Sequence, residues 1–234
     1  MDKVAVITGG TGGLGTALIG RLLRQEYRLA VTYLLPEEAE RFEKQFEVDD
    51  ERLTMRRVDA TNPEAVTGFM KEIAEQFGLI HAVCSLVGGW AGGRDVEDTD
   101  DLRFERMIDL NLRSAFYTAR AALPYLRAAG WGRLLLVGSR AAFDTPGGQA
   151  AFNVAKAGVV ALGKSIAAEL DGSGVTCNVL LPSVIDTPAT RSTAPYADYI
   201  KWPTPDEIAA VAEFLIGEQS GVITGAAVPV FGRT

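Results

Sequence analysis

Short apolar runs alternate with longer helical stretches from Lys3 almost to the end of the chain, and no other feature limits the fold as much. "KVAVIT", "RLAVTYL", "RLTMRRV", "LIHAVCSLV", "RLLLVGS", "VTCNVLLP" and a final "GAAVPVF" read as buried strands. Between them lie "LGTALIGRLLRQ", "PEEAERFEKQF", "NPEAVTGFMKEIAEQF", two helical stretches within residues 100–129, and "GQAAFNVAKAGVVALGKSIAAEL". Strands joined through helices must run parallel, with the helices covering both faces of the sheet. The pattern therefore predicts a doubly wound parallel α/β sheet of the Rossmann type, one domain over residues 1–234. No low-complexity linker or internal repeat divides the chain. Ligands of such sheets bind in the crevice beyond the carboxyl ends of the strands. Residues 88–99, rich in Gly and Asp, and the Pro-bearing substrate loop 183–203 are the two segments expected to line it.

Charge narrows the class of partner. A net charge of -7 with scattered basic residues argues against a nucleic acid or an anionic membrane, and leaves a small-molecule substrate. No segment approaches about 20 uninterrupted apolar residues, and "MDKVAVITGG" lacks the length and cleavage site of a signal peptide. Cys84 and Cys177 sit in separate apolar runs, so they are expected to be buried hydrophobes rather than metal or redox groups, in a reducing cytoplasm. His81, the single histidine, lies in a strand run and reads as structural.

The first strand runs into "TGGTGGLG", residues 8–15, and then directly into a helix. Glycines allow a tight turn and close approach of a ligand, and the helix start presents unpaired N–H groups to an anion. Gly10, Gly12 and Gly15 fit one pyrophosphate-binding spacing. Thr8, Gly9, Gly13 and Gly15 fit a second, T-G-x-x-x-G-x-G. That register, followed by Asp59 in "VDAT", Asn111 in "LNLRSAF", Ser139 in "LLVGSR" and Lys156 in "FNVAK", resembles the short-chain dehydrogenases/reductases over nearly the full length.

The resemblance implies a nicotinamide dinucleotide, NAD(H) or NADP(H), held by Thr8, Gly9, Thr11, Gly13, Leu14 and Gly15 at the turn and by Tyr33 after the second strand. Asp59 and Ala60 would meet the adenine, Val87 and Gly88 would follow the fourth strand, Lys156 would hold the ribose, and Pro182, Val184 and Thr187 would lie near the carboxamide. Asn111 and Ser139 would serve catalysis. The family's usual N-N-A-G reads here "SLVGG". "GGWAGG", "AAFDTPG" and "DTPATRSTAPYADYIKWPTPDE" look like segments of the dihydropteridine reductase branch, which places Trp90 as a platform for a flat acceptor. Ser139 departs from that branch.

One residue breaks the pattern. The family places a tyrosine four residues before the lysine, and here the position holds Phe152. A phenol there would deliver a proton while hydride moves, with the lysine charge lowering its pKa. Phenylalanine has no ionisable group. Three readings stay open. The chain reduces an activated acceptor such as a quinonoid dihydropterin or a quinone, with Tyr196, Tyr199 or a water on Ser139 replacing the acid. It binds a nicotinamide nucleotide without turnover, as a sensor or partner. Or the phenylalanine is a deliberate replacement. Glu37 and Glu38 would repel a 2′-phosphate, which favours NAD(H). The apolar helices over residues 103–129 and 149–170, which the family pairs between subunits, predict a homodimer or homotetramer.

Overall fold

The computed structural model describes residues 3–25, 27–46 and 51–233; Met1 and Asp2, at the head of the N-terminal stretch, lie outside them. Seven strands, β1 (Val4–Thr8), β2 (Arg28–Tyr33), β3 (Leu53–Arg57), β4 (Ala82–Ser85), β5 (Gly132–Val137), β6 (Val175–Pro182) and β7 (Ala227–Val230), form one sheet in the order β3-β2-β1-β4-β5-β6-β7. Every neighbouring pair is parallel, as the alternation of strands and helices requires. Strand order reverses between β1 and β4, and this switch point opens the crevice.

Strand periodicity divides the core in two. Val4 and Val6 face a layer with Val66, Phe69, Met70 and Ile73 of α3 (Pro63–Phe77), while Ala5 and Ile7 face Leu18, Ile19 and Leu22 of α1 (Gly13–Leu23). With both faces covered, β4 and β6 are buried at every position, which is why their sequences run apolar without alternation. Cys84 and Cys177 belong to opposite core layers, and burial pushes both thiols up to about 12, so neither is a reactive thiolate. His81 accepts a hydrogen bond from the Val4 N–H through Nδ1 and rests against Trp131, with its pKa lowered chiefly by burial.

The remaining helices are α2 (Pro36–Gln45), α4 (Asp101–Ile108), α5 (Ser114–Ala128), α6 (Ala141–Asp144), α7 (Ala150–Glu169), α8 (Pro188–Thr193) and α9 (Pro205–Ile216). Two differ from the sequence expectation. The stretches within residues 100–129 form one continuous helical run, because a π-helical turn, Asp109–Arg113, joins α4 to α5. Inside it the Asn111 side-chain amide donates to the Met107 carbonyl, the acceptor that an α-helical turn would give to the Asn111 backbone N–H. The 183–203 loop carries its own helix, α8, closed at its start by the reciprocal Thr187 and Thr190 capping bonds. Helix α7 is long and apolar enough to cross a membrane by composition, and its burial against the sheet accounts for that apolarity.

Candidate active site

The first strand ends at Thr8, and the chain turns through Gly9 at φ +71°, a conformation favouring glycine. The turn is tied to β2 by bonds from Gly9 N to Thr32 Oγ1 (3.0 Å) and Gly10 N to the Thr32 carbonyl (3.1 Å). Helix α1 then seats directly on it. A Cβ on Gly15 would lie 2.5 Å from the Gly10 carbonyl oxygen, so only glycine allows this approach. The N-cap of α1 is Gly12, without a side-chain capping bond and without an acidic residue in the first turn. Its N–H groups and positive dipole end face the crevice, an arrangement suited to a phosphate.

A cavity of about 730 Å³ extends from this turn across the carboxyl ends of β1, β4, β5 and β6. Of the residues singled out in the sequence, Gly9, Gly13, Leu14, Gly15, Gly88, Trp90, Asn111, Ser139, Phe152, Lys156, Pro182, Val184 and Thr187 line it. Four strand ends, α1, the helical run at Asn111, α6, α7 and α8 therefore converge on one volume. Asn111 ties the helical run to the end of β4, its Oδ1 accepting from Gly89 N (3.2 Å) and its Nδ2 donating to the Gly89 carbonyl (2.9 Å). A Cβ on Gly88 would come within 2.9 Å of Asn111 Oδ1 and 3.2 Å of Lys156 Nζ, so the missing side chain leaves room for both groups beside the loop after β4.

Lys156 is the buried charge of the site. Its Nζ donates to the Val137 carbonyl at 2.9 Å, and among the described residues no carboxylate pairs with it. Burial therefore lowers the ammonium from its ordinary range to about 8. One helical turn earlier, the Phe152 ring centroid lies 5.8 Å from Nζ. Ser139 Oγ accepts from Ala141 N (3.2 Å), leaving its hydroxyl proton available to the cavity.

Other expected residues lie elsewhere. Thr8 is buried beneath the turn, Val87 packs on Gly9, and Ala60 is part of the core layer under α3. Asp59 is at the surface, its carboxylate accepting from the Thr61 N–H and hydroxyl; Tyr33 ends β2 outside the cavity lining. Thr11 donates to Glu38 at 3.1 Å. The two loop phenols lie outside the cavity lining. Tyr196 is wholly exposed to solvent, whereas Tyr199 turns back onto α8, donating to the Ala194 carbonyl (2.9 Å) with its ring against Arg191 and Trp202. The compact turn around α8 directs both away from the cavity, and neither lines it.

The cavity also holds Arg140, Asp144, Gln149 and Trp202, which the sequence reading did not assign. Arg140 and Asp144 are an ion pair at i,i+4 spacing, so that pair had a local signal. Gln149 had none, since its partner is 59 positions away. Among the described residues no cluster of three His, Cys, Asp or Glu side chains could hold a metal ion.

Comparison with known proteins agrees with this geometry. The family model described as short chain dehydrogenase matches residues 3–197. The 3-oxoacyl-[acyl-carrier-protein] reductase MabA of Mycobacterium tuberculosis (strain ATCC 25618 / H37Rv) is 30% identical over 99% of this chain and 92% of its own length. A Bacillus thuringiensis structure named as a candidate 3-oxoacyl-reductase superposes with a TM-score of 0.88 at 29% identity, covering 100% of this chain and 98% of its own. ElxO with NADP bound shares the fold, with a TM-score of 0.93 at 22% identity over 99% and 98% of the two chains. With the family match spanning most of its length, the chain belongs to the short-chain dehydrogenase family of oxidoreductases.

Proposed function

We propose that this protein is a nicotinamide-dinucleotide-dependent oxidoreductase acting on an oxo group, with a 3-oxoacyl thioester as its first acceptor class and with Phe152 standing where the family's phenol would be. The observation that carries the reading is the single cavity onto which the glycine turn, Asn111, Ser139, Phe152 and Lys156 converge. The residues fit the cofactor: the turn offers an uncapped helix start, and the glycines leave it open to the cavity. Gly9, Gly13, Leu14 and Gly15 would take the pyrophosphate, Lys156 the nicotinamide ribose, Pro182, Val184 and Thr187 the carboxamide, and Asp59 the adenine. When bound, the nicotinamide ring supplies or accepts hydride. The acceptor class follows the names of the 3-oxoacyl reductases above.

Proton supply is what Phe152 alters. Ser139 can donate a hydroxyl proton, and Lys156, at about 8, holds a proton near neutrality and releases it at mildly alkaline pH. An acceptor that takes hydride before its proton would feel the missing phenol least. Phe152 therefore also favours a second reading, a quinonoid dihydropterin or quinone lying against the exposed Trp90 ring. Glu38, held on the turn by Thr11, favours NAD(H), since a 2′-phosphate at that point would meet a carboxylate; the NADP in ElxO belongs to that chain. Exposed Leu102, Phe116 and Val154 on α4, α5 and α7 support a homodimer or homotetramer that covers them.

The test is a fluorescence titration with NADH and NADPH, then stopped-flow cofactor oxidation with a 3-oxoacyl thioester, quinonoid dihydropterin and a simple quinone, for the protein and for Phe152→Tyr. Both proteins are expected to bind nucleotide, with the tyrosine variant about 10² to 10⁴ faster on the 3-oxoacyl thioester. Failure of both nucleotides to bind overturns the reading. Binding without turnover in either protein leaves a nucleotide-binding role alone.

A further inference from the structure

A directed chain of hydrogen bonds crosses the open side of the cavity. Trp90 Nε1 donates to Gln149 Oε1 at 2.9 Å, Gln149 Nε2 donates to Asn153 Oδ1 at 3.0 Å, and Asn153 Nδ2 donates to the Pro146 carbonyl at 2.8 Å. An indole N–H can only donate and a proline carbonyl can only accept, so the two ends fix the orientation of both amides between them. Asn153 is buried on α7, next to Phe152 and within one turn of Lys156. The chain thus ties the loop after β4 to the helix that carries the lysine.

The Trp90 ring is held from its other side as well. A Cβ on Gly92 would lie 2.4 Å from Trp90 Cζ2, so the backbone of Gly92 sits directly against the ring, and Arg103 Nη2 holds the Gly92 carbonyl at 2.6 Å. Arg94 N donates to the Gly148 carbonyl (3.2 Å), closing the same two loops together. Yet the indole stays 60% exposed while lining the cavity. A large apolar ring that is fixed in direction but left uncovered is a surface prepared for a ligand.

We propose that Gln149 is a specificity-determining positioning residue: its bond to Trp90 fixes the indole as the acceptor-side wall of the cavity, against which the apolar or planar part of the acceptor packs. The inference rests on the oxidoreductase reading of that cavity. Gln149 acts through Trp90, binding the acceptor rather than moving its proton or hydride.

The experiment has a spectroscopic arm and a kinetic arm. The indole N–H resonance of Trp90, assigned by its loss in Trp90→Phe, is followed in Gln149→Leu. It is expected to move upfield and exchange faster with water, while NADH affinity stays within about twofold. In the Phe152→Tyr background, where turnover is fastest, Gln149→Leu and Trp90→Phe are each expected to raise KM for the 3-oxoacyl thioester about five- to tenfold, with a much smaller change in kcat. The double variant should be no worse than either single one, since each breaks the same bond. An unmoved resonance, an unchanged KM or fully additive effects would overturn the proposal. Nucleotide binding with no turnover of any acceptor would overturn the oxidoreductase reading and this inference with it, whereas turnover with unchanged KM removes the inference alone.

Discussion

The glycine-turn half of the crevice and the acceptor half are built by different means. On the first side the chain works with backbone: a glycine at positive φ, a helix packed so closely on the turn that a Cβ on Gly15 would lie 2.5 Å from the Gly10 carbonyl oxygen, and an uncapped N-terminus. On the second it works with side chains that reach partners across long sequence separations, Trp90 to Gln149 and Asn111 to the Gly89 backbone. A backbone device is specified by adjacent residues and tolerates change elsewhere. A side-chain device depends on the whole fold to bring its members together, and Phe152 lies on this side.

Lys156 belongs to both halves, and its titration gives the largest stability effect by which to separate them. Its folded pKa, about 8, lies below the ordinary 10.5 because burial disfavours the ammonium. Between these values the unfolded chain binds more protons than the folded one, so stability rises with pH across that window. Below pH 8 the site carries the full penalty, on the order of 3 kcal/mol, and above about pH 10.5 it carries none. Lys156→Met removes the penalty but also the 2.9 Å bond to Val137, worth about 1 kcal/mol. The variant is expected to be more stable than the parent by about 2 kcal/mol at pH 7, with the advantage gone by pH 10.5, in urea melts at the two values. It should also lose nucleotide affinity. A variant less stable at pH 7 would mean that the lysine is held by more than the site's geometry shows.

A smaller effect tests whether the glycine-turn half chooses its nucleotide through charge. Glu38 reaches the turn only through the Thr11 hydroxyl and is partly exposed, so water and salt screen it. Glu38→Gln is expected to narrow the preference for NADH over NADPH about two- to fivefold, measured as the ratio of the two Kd values. Arg57, whose Nε donates to the Leu34 carbonyl beside the same strand end, is the basic group that could oppose it. A preference for NADPH in the parent protein would assign the discrimination to Arg57 and break the charge argument.

The same division explains what could be read before the fold was known. The strand runs, the parallel doubly wound sheet and the glycine turn rest on local periodicity and on residues next to one another, and these were legible. The helical run at Asn111 was legible only as two pieces, because a π turn leaves no period of its own and is held open by a bond to Met107 and to a distant glycine. Gln149 carried no signal at all, since a glutamine before a helix is unremarkable until the fold brings Trp90 to it. The loop tyrosines are the converse case. A phenol in a site-facing segment is chemically suggestive, but a segment of 21 residues can turn any one side chain outward, and here Tyr196 is exposed while Tyr199 packs on the end of α8.

Those tyrosines give the smallest expected effect and the sharpest negative for the acceptor half. Tyr196 makes no contact that burial would register, so Tyr196→Phe should change stability by less than about 0.5 kcal/mol and leave both kcat and its pH profile as they are. Tyr199→Phe gives up the bond to the Ala194 carbonyl and keeps the ring against Trp202 and Arg191, so a loss of about 1 kcal/mol in a thermal melt is expected, again without a change in the pH profile. The pH profile is the deciding readout, because loss of a proton donor removes the ionisation that governs the rate, whereas loss of loop packing lowers the rate at every pH alike. If either variant abolished an alkaline limb of the profile, α8 would have to swing through the crevice during turnover, and the acceptor half would be a moving assembly in place of the fixed wall that Trp90, Gln149 and Asn153 describe.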